Sequence, residues 1–334
     1  MKIIAIFSVI LQHISIHYVS TKLPTQPIWQ VANIYLSFSI FCVPVFVMLS
    51  GMFLLSEKRN ESLQIYFRKR IKKVFIPFIV WGIIYALWYI YGQKLPFSLH
   101  DFVRAVVGSG GKYYAPHMWF LPLIIGLYIA APVLKIFVNN ASKKLILYFL
   151  LIWFVFCSIF PIFQKFFGLY LSFYPSIYTK FTGFFILGYF LSKFHGTKKN
   201  ISLLIIIFLF GWIVTVFGTY SLSIKIKSYD DFFYFSCTPN IIFMSLTIFL
   251  IILTSDLEFL KSDYLRLVGS SVFGIYLVHI IILYTSFRGV NIFTLISKLG
   301  PVIGIPIATI IIGVLCFITV IVMKRMPVIK HIVP

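Results

Sequence analysis

The stretch Ile3-Ile-Ala-Ile-Phe-Ser-Val-Ile-Leu-Gln-His-Ile-Ser-Ile-His-Tyr-Val19 decides how the chain must be read. With its flanks it is long enough to cross a bilayer as a helix, which takes about 20 mostly apolar residues. An ionisable side chain at that depth is expensive, so His13 is a functional-site candidate from the outset. Lys2 lies eleven residues earlier, which at ~100° per residue is about three turns. It therefore shares the face of His13, roughly 16 Å away along the axis. A cation at the membrane rim and a buried base above it could hold a long anionic cofactor and use its far end.

The rest of the 334 residues extends this pattern. The chain is 60% hydrophobic and 19% aromatic, with only 11% charged residues, far more apolar than a soluble chain of this length can hide. We therefore expect an all-α integral membrane protein. Ten segments are candidates for spanning helices: about 3–20, 33–55, 74–91, 118–138, 145–162, 180–194, 201–218, 240–255, 266–287 and 301–323. Their short connections make residues 1–334 a single polytopic membrane domain. No small-residue cleavage motif follows the first segment, which reads as a retained helix rather than a signal peptide. The longest polar stretch runs from Gly92 to His117, with Asp101, Arg104 and a glycine-rich turn at 108–111. A second covers 219–239, with Lys225, Lys227, Asp230 and Asp231.

The net charge of +21 does not indicate a nucleic-acid partner, because the cations lie between apolar spans, as topology signals do. With the N-terminus inside, the inner side takes Lys2; Lys58, Arg59, Arg68, Lys69, Arg70, Lys72 and Lys73; Lys135, Lys143 and Lys144; Lys193, Lys198 and Lys199; Lys261 and Arg266; and Lys324, Arg325 and Lys330. These are most of the 29 basic residues. The bias supports about ten transmembrane helices with both termini cytoplasmic. The four cysteines are far apart, without C-x-x-C, and read as small buried hydrophobes rather than a disulfide or zinc framework.

Three further clusters carry chemistry. In Tyr66-Phe-Arg-Lys-Arg-Ile-Lys-Lys-Val-Phe-Ile-Pro77 a basic run precedes a span. It reads as a topology signal or as a grip on the phosphates of a nucleotide-like cofactor by Arg70 and Lys73, which at spacing i, i+3 project from one helix face. In His117-Met-Trp-Phe-Leu-Pro122, Trp119 suits an interfacial aromatic belt, and His117 could meet a substrate arriving from outside. Tyr276 and His279, also i, i+3, can line one seam of the ninth segment, or His279 is a structural histidine bonded to a neighbouring helix. His13 and His17, at i, i+4, have the spacing of a helical metal pair. No carboxylate accompanies them, and no metal is expected.

Taken together, these stretches resemble the acyltransferase 3 family of integral membrane acyltransferases that modify surface polysaccharides. The family opens with a basic residue, ten residues, then His, and here Lys2 and His13 hold those places. Phe46-Val-Met-Leu-Ser50-Gly51 resembles its second helix, and Arg70 and Lys73 with Pro77 and Trp81 resemble its basic pair and following helix. Trp119-Phe-Leu with Tyr128 and Pro132, Phe184-Phe-Ile-Leu-Gly188-Tyr, and Phe273-Gly-Ile-Tyr-Leu-Val-His279 follow in the family's order. The likeness runs from residue 2 to about 323 and is nearest to the O-acetyltransferase branch without an extra esterase-like domain. Two features depart from the pattern. The first basic residue is usually Arg, and Lys2 gives up bidentate phosphate geometry. Relatives also commonly carry a short upstream segment with an Asp, so a start upstream of Met1 or a shortened N-terminus is expected.

The resemblance implies a bacterial cytoplasmic (inner) membrane enzyme that moves an acyl group, most often acetyl, from acetyl-coenzyme A to a sugar hydroxyl of a surface glycan or its lipid-linked precursor. Lys2, Arg70 and Lys73 would hold the donor's phosphates. His13 would act as general base or carry the acyl group briefly. His117, Trp119, Tyr276 and His279 would shape the acceptor side. The other class is a polysaccharide or lipid transporter, or a non-catalytic membrane partner of a synthase. The scarcity of intramembrane carboxylates and of visible internal repeats favours the transferase.

Overall fold

The computed structural model describes residues 1–56, 62–108, 110–170, 180–193, 200–254, 262–285 and 291–334. Helices α1 (Lys2–Thr21), α2 (Pro27–Ser39), α3 (Cys42–Ser56), α4 (Leu63–Arg70), α5 (Ile76–Gly92), α6 (Leu99–Val106), α7 (Phe120–Asn140) and α8 (Lys143–Phe154) come first. They are followed by α9 (Phe160–Phe167), α10 (Lys180–Ser192), α11 (Ile201–Ile226), α12 (Pro239–Thr254), α13 (Asp263–Tyr284), α14 (Ile292–Leu299) and α15 (Pro301–Arg325). Among the described residues there is no strand, and 9 helices, some made of two joined pieces, are long and apolar enough to cross a membrane. The sixth expected segment, 180–194, is α10 over its described residues, a shorter apolar helix of 13 residues. Lys58, Arg59, Ser109, Lys198, Lys199 and Lys261, used above in the topology and turn arguments, lie outside the described residues.

Proline accounts for where the spans deviate from regular helix. Pro44 has no N–H for the carbonyl of Ile40, and the second span breaks there into α2 and α3. Pro77 likewise leaves the carbonyl of Lys73 without its helical donor. The chain passes from α4 to α5 through a π-helical turn, Ile71–Phe75, in which Ile76 N–H reaches back to Ile71. The same device precedes Pro161, at Val155–Ile159. The third span therefore begins at Leu63, well before the expected 74, and the basic run is itself helical. Ser62, Ser142, Asn200 and Ser262 cap the N-termini of α4, α8, α11 and α13 with their side chains.

The core pairs α1 with α2 and α13, and α3 with α10. The α3–α10 crossing depends on two glycines. A Cβ on Gly51 would lie 1.8 Å from the carbonyl oxygen of Phe185, and one on Gly188 would lie 2.0 Å from that of Met48. Close backbone approach at small residues is how helices associate where lipid removes the hydrophobic drive. The outward faces of α11 and α15 (Ile206, Phe210, Phe217, Ile310, Val314, Ile318) are exposed and apolar, a surface suited to acyl chains rather than water. Inside, polar groups tie the spans together. Asn33 Nδ2 donates to Val216 O (3.0 Å), and Asn33 Oδ1 accepts from Ser37 (3.2 Å) and from the Tyr234 hydroxyl. At one end of the bundle Lys73 lies close enough to Lys2 and to Lys324 to repel both. The start of α1 and the end of α15 therefore share a face.

Candidate functional site

His13 projects from the middle of α1 into a cavity of about 60 Å³ bordered by Gln12, Phe46, His117, Trp119, Phe120 and Tyr276. Two more histidines converge on it. The ring of His279, from α13, is 5.0 Å from that of His13, and the ring of His117, from the turn Pro116–Trp119, is 6.3 Å away. His117 and His279 are themselves 5.2 Å apart. Both are buried, whereas His13 is half-buried and lines the open space. All centroid separations span several ångströms, so the three rings pack as a cluster.

The shell fixes two of the three rings. His279 Nδ1 lies 2.6 Å from the carbonyl of Tyr276 one turn earlier. An oxygen acceptor there requires Nδ1 to carry the hydrogen, which leaves Nε2 with a lone pair. The Tyr276 hydroxyl donates to the backbone carbonyl of His117, and the ring of Tyr85 sits 4.7 Å from the His117 ring while its own hydroxyl donates to Leu277 O (2.7 Å). His279 Nε2 and both ring nitrogens of His117 are buried without a hydrogen-bond partner among the described residues. Buried polar atoms are nearly always bonded, and His117, whose two orphaned nitrogens belong to a ring bordering the cavity, marks where a polar group of a bound molecule belongs.

Of the residues expected from the sequence, His13, His117, Tyr276 and His279 come together, and Trp119 joins them at the rim, its ring 5.7 Å from Phe181 and 42% exposed. His17 is elsewhere, stacked on Phe293 at 4.1 Å. Among the described residues no three His, Cys, Asp or Glu side chains are arranged to hold a metal ion.

The expected cations form a separate region at the start of α1. Lys2 lies beside Lys73 and over the ring of Phe53 (5.5 Å). The Arg70 guanidinium lies over the ring of Tyr66 (4.6 Å), whose hydroxyl donates to Tyr128 O (3.0 Å). The i, i+3 argument for Arg70 and Lys73 assumed a regular helix. Arg70 ends α4 and Lys73 sits inside the π turn, so their relative direction is set by Pro77. Lys324 was not anticipated as part of this group; it donates to Ser270 O (2.9 Å) and lies near Lys73. Gln12 was also missed. It borders the His13 cavity and its Oε1 accepts from the Cys42 thiol (3.0 Å). Its signal was present as a bulky polar residue beside His13 in an apolar run.

The family model described as an acyltransferase domain, that of the acyltransferase 3 family, matches residues 1–323. No curated protein and no solved structure matches the chain.

Proposed function

The chain belongs to the acyltransferase 3 family and is a membrane acyltransferase, and from that premise we propose that it transfers an acetyl group from acetyl-coenzyme A to a sugar hydroxyl of a surface polysaccharide or its lipid-linked precursor, in a bacterial cytoplasmic membrane. The observation that carries this reading is His13 itself. It is the one ring of the histidine cluster that is not fully buried, and it stands on the same helix as Lys2, about 16 Å from the basic end. On this reading Lys2, Arg70 and Lys73, joined by Lys324, hold the donor's phosphates at the cytoplasmic face through charge-assisted contacts. The small cavity admits the thioester end.

His13 takes the proton of the attacking hydroxyl as the sugar oxygen bonds to the acyl carbon. The carbon–sulfur bond breaks, and the leaving thiolate takes that proton from the imidazolium. General-base catalysis of this kind is typically worth 10²–10⁴ in rate. His117, His279, Tyr276 and Trp119 shape the acceptor side.

Product chemistry tests the proposal. Membranes containing the protein, given radiolabelled acetyl-coenzyme A and the host's glycan precursors, should yield alkali-labile label in glycan. A change only in where the polymer lies, with no ester formed, would replace the transferase reading with an exporter.

A further inference from the structure

Gln12 and Trp119 belong to two walls at once. Besides the His13 cavity they border a larger one, of about 350 Å³, on the side of His13 away from Lys2. Its other walls come from Ile16 one turn further along α1, from Leu36 and Ile40 at the end of α2, from Lys180 and Phe181 at the start of α10, and from the 229–236 segment between α11 and α12. Lys180 and Asp231 are exposed at its mouth; Phe181, Tyr229, Phe235 and Ser236 are half-buried, and Tyr234 is buried.

The cavity is preformed. Asp230, buried, accepts from the Lys165 ammonium (2.6 Å) and from Phe232 N–H (3.0 Å), and its own N–H donates to Ser223 (3.0 Å). Tyr234 is tied to Asn33 and Asn240 Nδ2 donates to Phe233 O (2.8 Å), so the segment is anchored to α2, α9, α11 and α12. Burial, with Asp231 and Asp230 nearby, pushes the Tyr229 phenol well above its ordinary range, so it stays a neutral hydroxyl. The Lys180 ammonium is held 3.9 Å over the ring of Phe235.

Aromatic walls with a few hydrogen-bonding groups at the edge suit a ligand with apolar faces and polar edges. A pyranose is such a ligand: its C–H faces stack and its hydroxyls radiate outward. The two charges at the mouth are opposite in sign, so neither an anionic nor a cationic sugar gains from the pair. With its oxygen accepting from Cys42, Gln12 has its NH₂ to offer at the partition between the two spaces. We propose that the larger cavity seats one neutral sugar ring of the acceptor, and that Gln12 is a positioning residue that aims a single ring hydroxyl past Trp119 at His13. The inference rests on the reading of His13 as the group that acylates a glycan hydroxyl.

The sugar site itself is tested without turnover. All four natural cysteines are buried, so a Ser236→Cys variant, with Asp231→Cys as a second position, reports on the cavity through its rate of maleimide labelling. The probes are the methyl glycosides of glucose, galactose, mannose and N-acetylglucosamine, against those of glucuronic acid and glucosamine. At ten times its Kd a neutral glycoside should slow labelling about tenfold by mass action, and in Ser236→Cys the charged ones should not. Protection by none of the neutral glycosides at either position, or equal protection by a charged one in Ser236→Cys, which keeps both charges at the mouth, would overturn the proposal. Adding Gln12→Leu to Ser236→Cys should keep the protection and lower kcat for transfer about tenfold or more, as expected for lost orientation. Lost protection with unchanged kcat would make Gln12 a binding group and refute its positioning role. Sugar protection without ester formation would remove the transferase reading while leaving a sugar site, so the two failures are separable.

Discussion

Tyr276→Phe is the sharpest probe of how the histidine cluster is held. The substitution keeps the ring, which packs 5.7 Å from Phe120 and 5.7 Å from His117, and deletes only the hydroxyl that donates to His117 O. That carbonyl also accepts from the backbone N–H of Phe120, so the deletion does not orphan it. The loss is therefore that of one net hydrogen bond, about 0.5–1.5 kcal/mol, in line with the ~0.6 kcal/mol average for hydrogen bonds between membrane helices. About 1 kcal/mol, if all of it reached the transition state, would be roughly a fivefold loss in rate. Steady-state transfer by purified Tyr276→Phe, alongside its thermal midpoint in detergent, should show a small fall in both. A loss of a hundredfold or more in kcat with an unchanged midpoint would place the hydroxyl on the reacting atoms and refute its role as a brace for His117.

The other expectations concern separate parts of the molecule. Arg70→Ala should raise KM for acetyl-coenzyme A several-fold with little change in kcat; an unchanged KM in a folded variant would relegate Arg70 to topology. Gly188→Leu should prevent assembly, because even a Cβ meets Met48 O at 2.0 Å and overpacking of this kind costs about 1–3 kcal/mol or more; detergent-stable, monodisperse protein would contradict the α3–α10 crossing. Lys165→Met removes the partner of the buried Asp230 carboxylate and should lower the thermal midpoint by a few degrees, read by differential scanning fluorimetry. In intact cells an impermeant maleimide should label Lys22→Cys and not Lys330→Cys; the reverse would invert the orientation taken from the positive charges.

Apolar length made the spans legible: over their described residues the ten segments read from the sequence are helical, the second as the two pieces α2 and α3, because a bilayer demands the same length and polarity everywhere. Their ends were less legible. The helix through Arg68–Lys73 is polar and lies outside any hydropathy window, and α11 runs to Ile226, beyond the expected 218, for the same reason. In the site, His13, Tyr276 and His279 could be named because an ionisable or hydroxylated side chain in a span is conspicuous, and His117 because it stands at the edge of one. Their convergence could not, since it depends on which helices pack together. Gln12 was passed over because a neutral amide is a weaker anomaly than a histidine. Lys180 at the start of a span and Tyr229 and Asp231 in a polar stretch were unremarkable, and only tertiary packing brings them to one cavity with Gln12.

Acyl transfer by His13 is open to a decisive experiment. The most direct measurement is transfer of labelled acetyl to the host's glycan precursors by reconstituted wild-type and His13→Ala protein, with donor binding measured in parallel. His13→Ala is expected to bind acetyl-coenzyme A still but to esterify glycan at least about 10² more slowly, as loss of a general base requires. Equal esterification by the two proteins would contradict that role for His13.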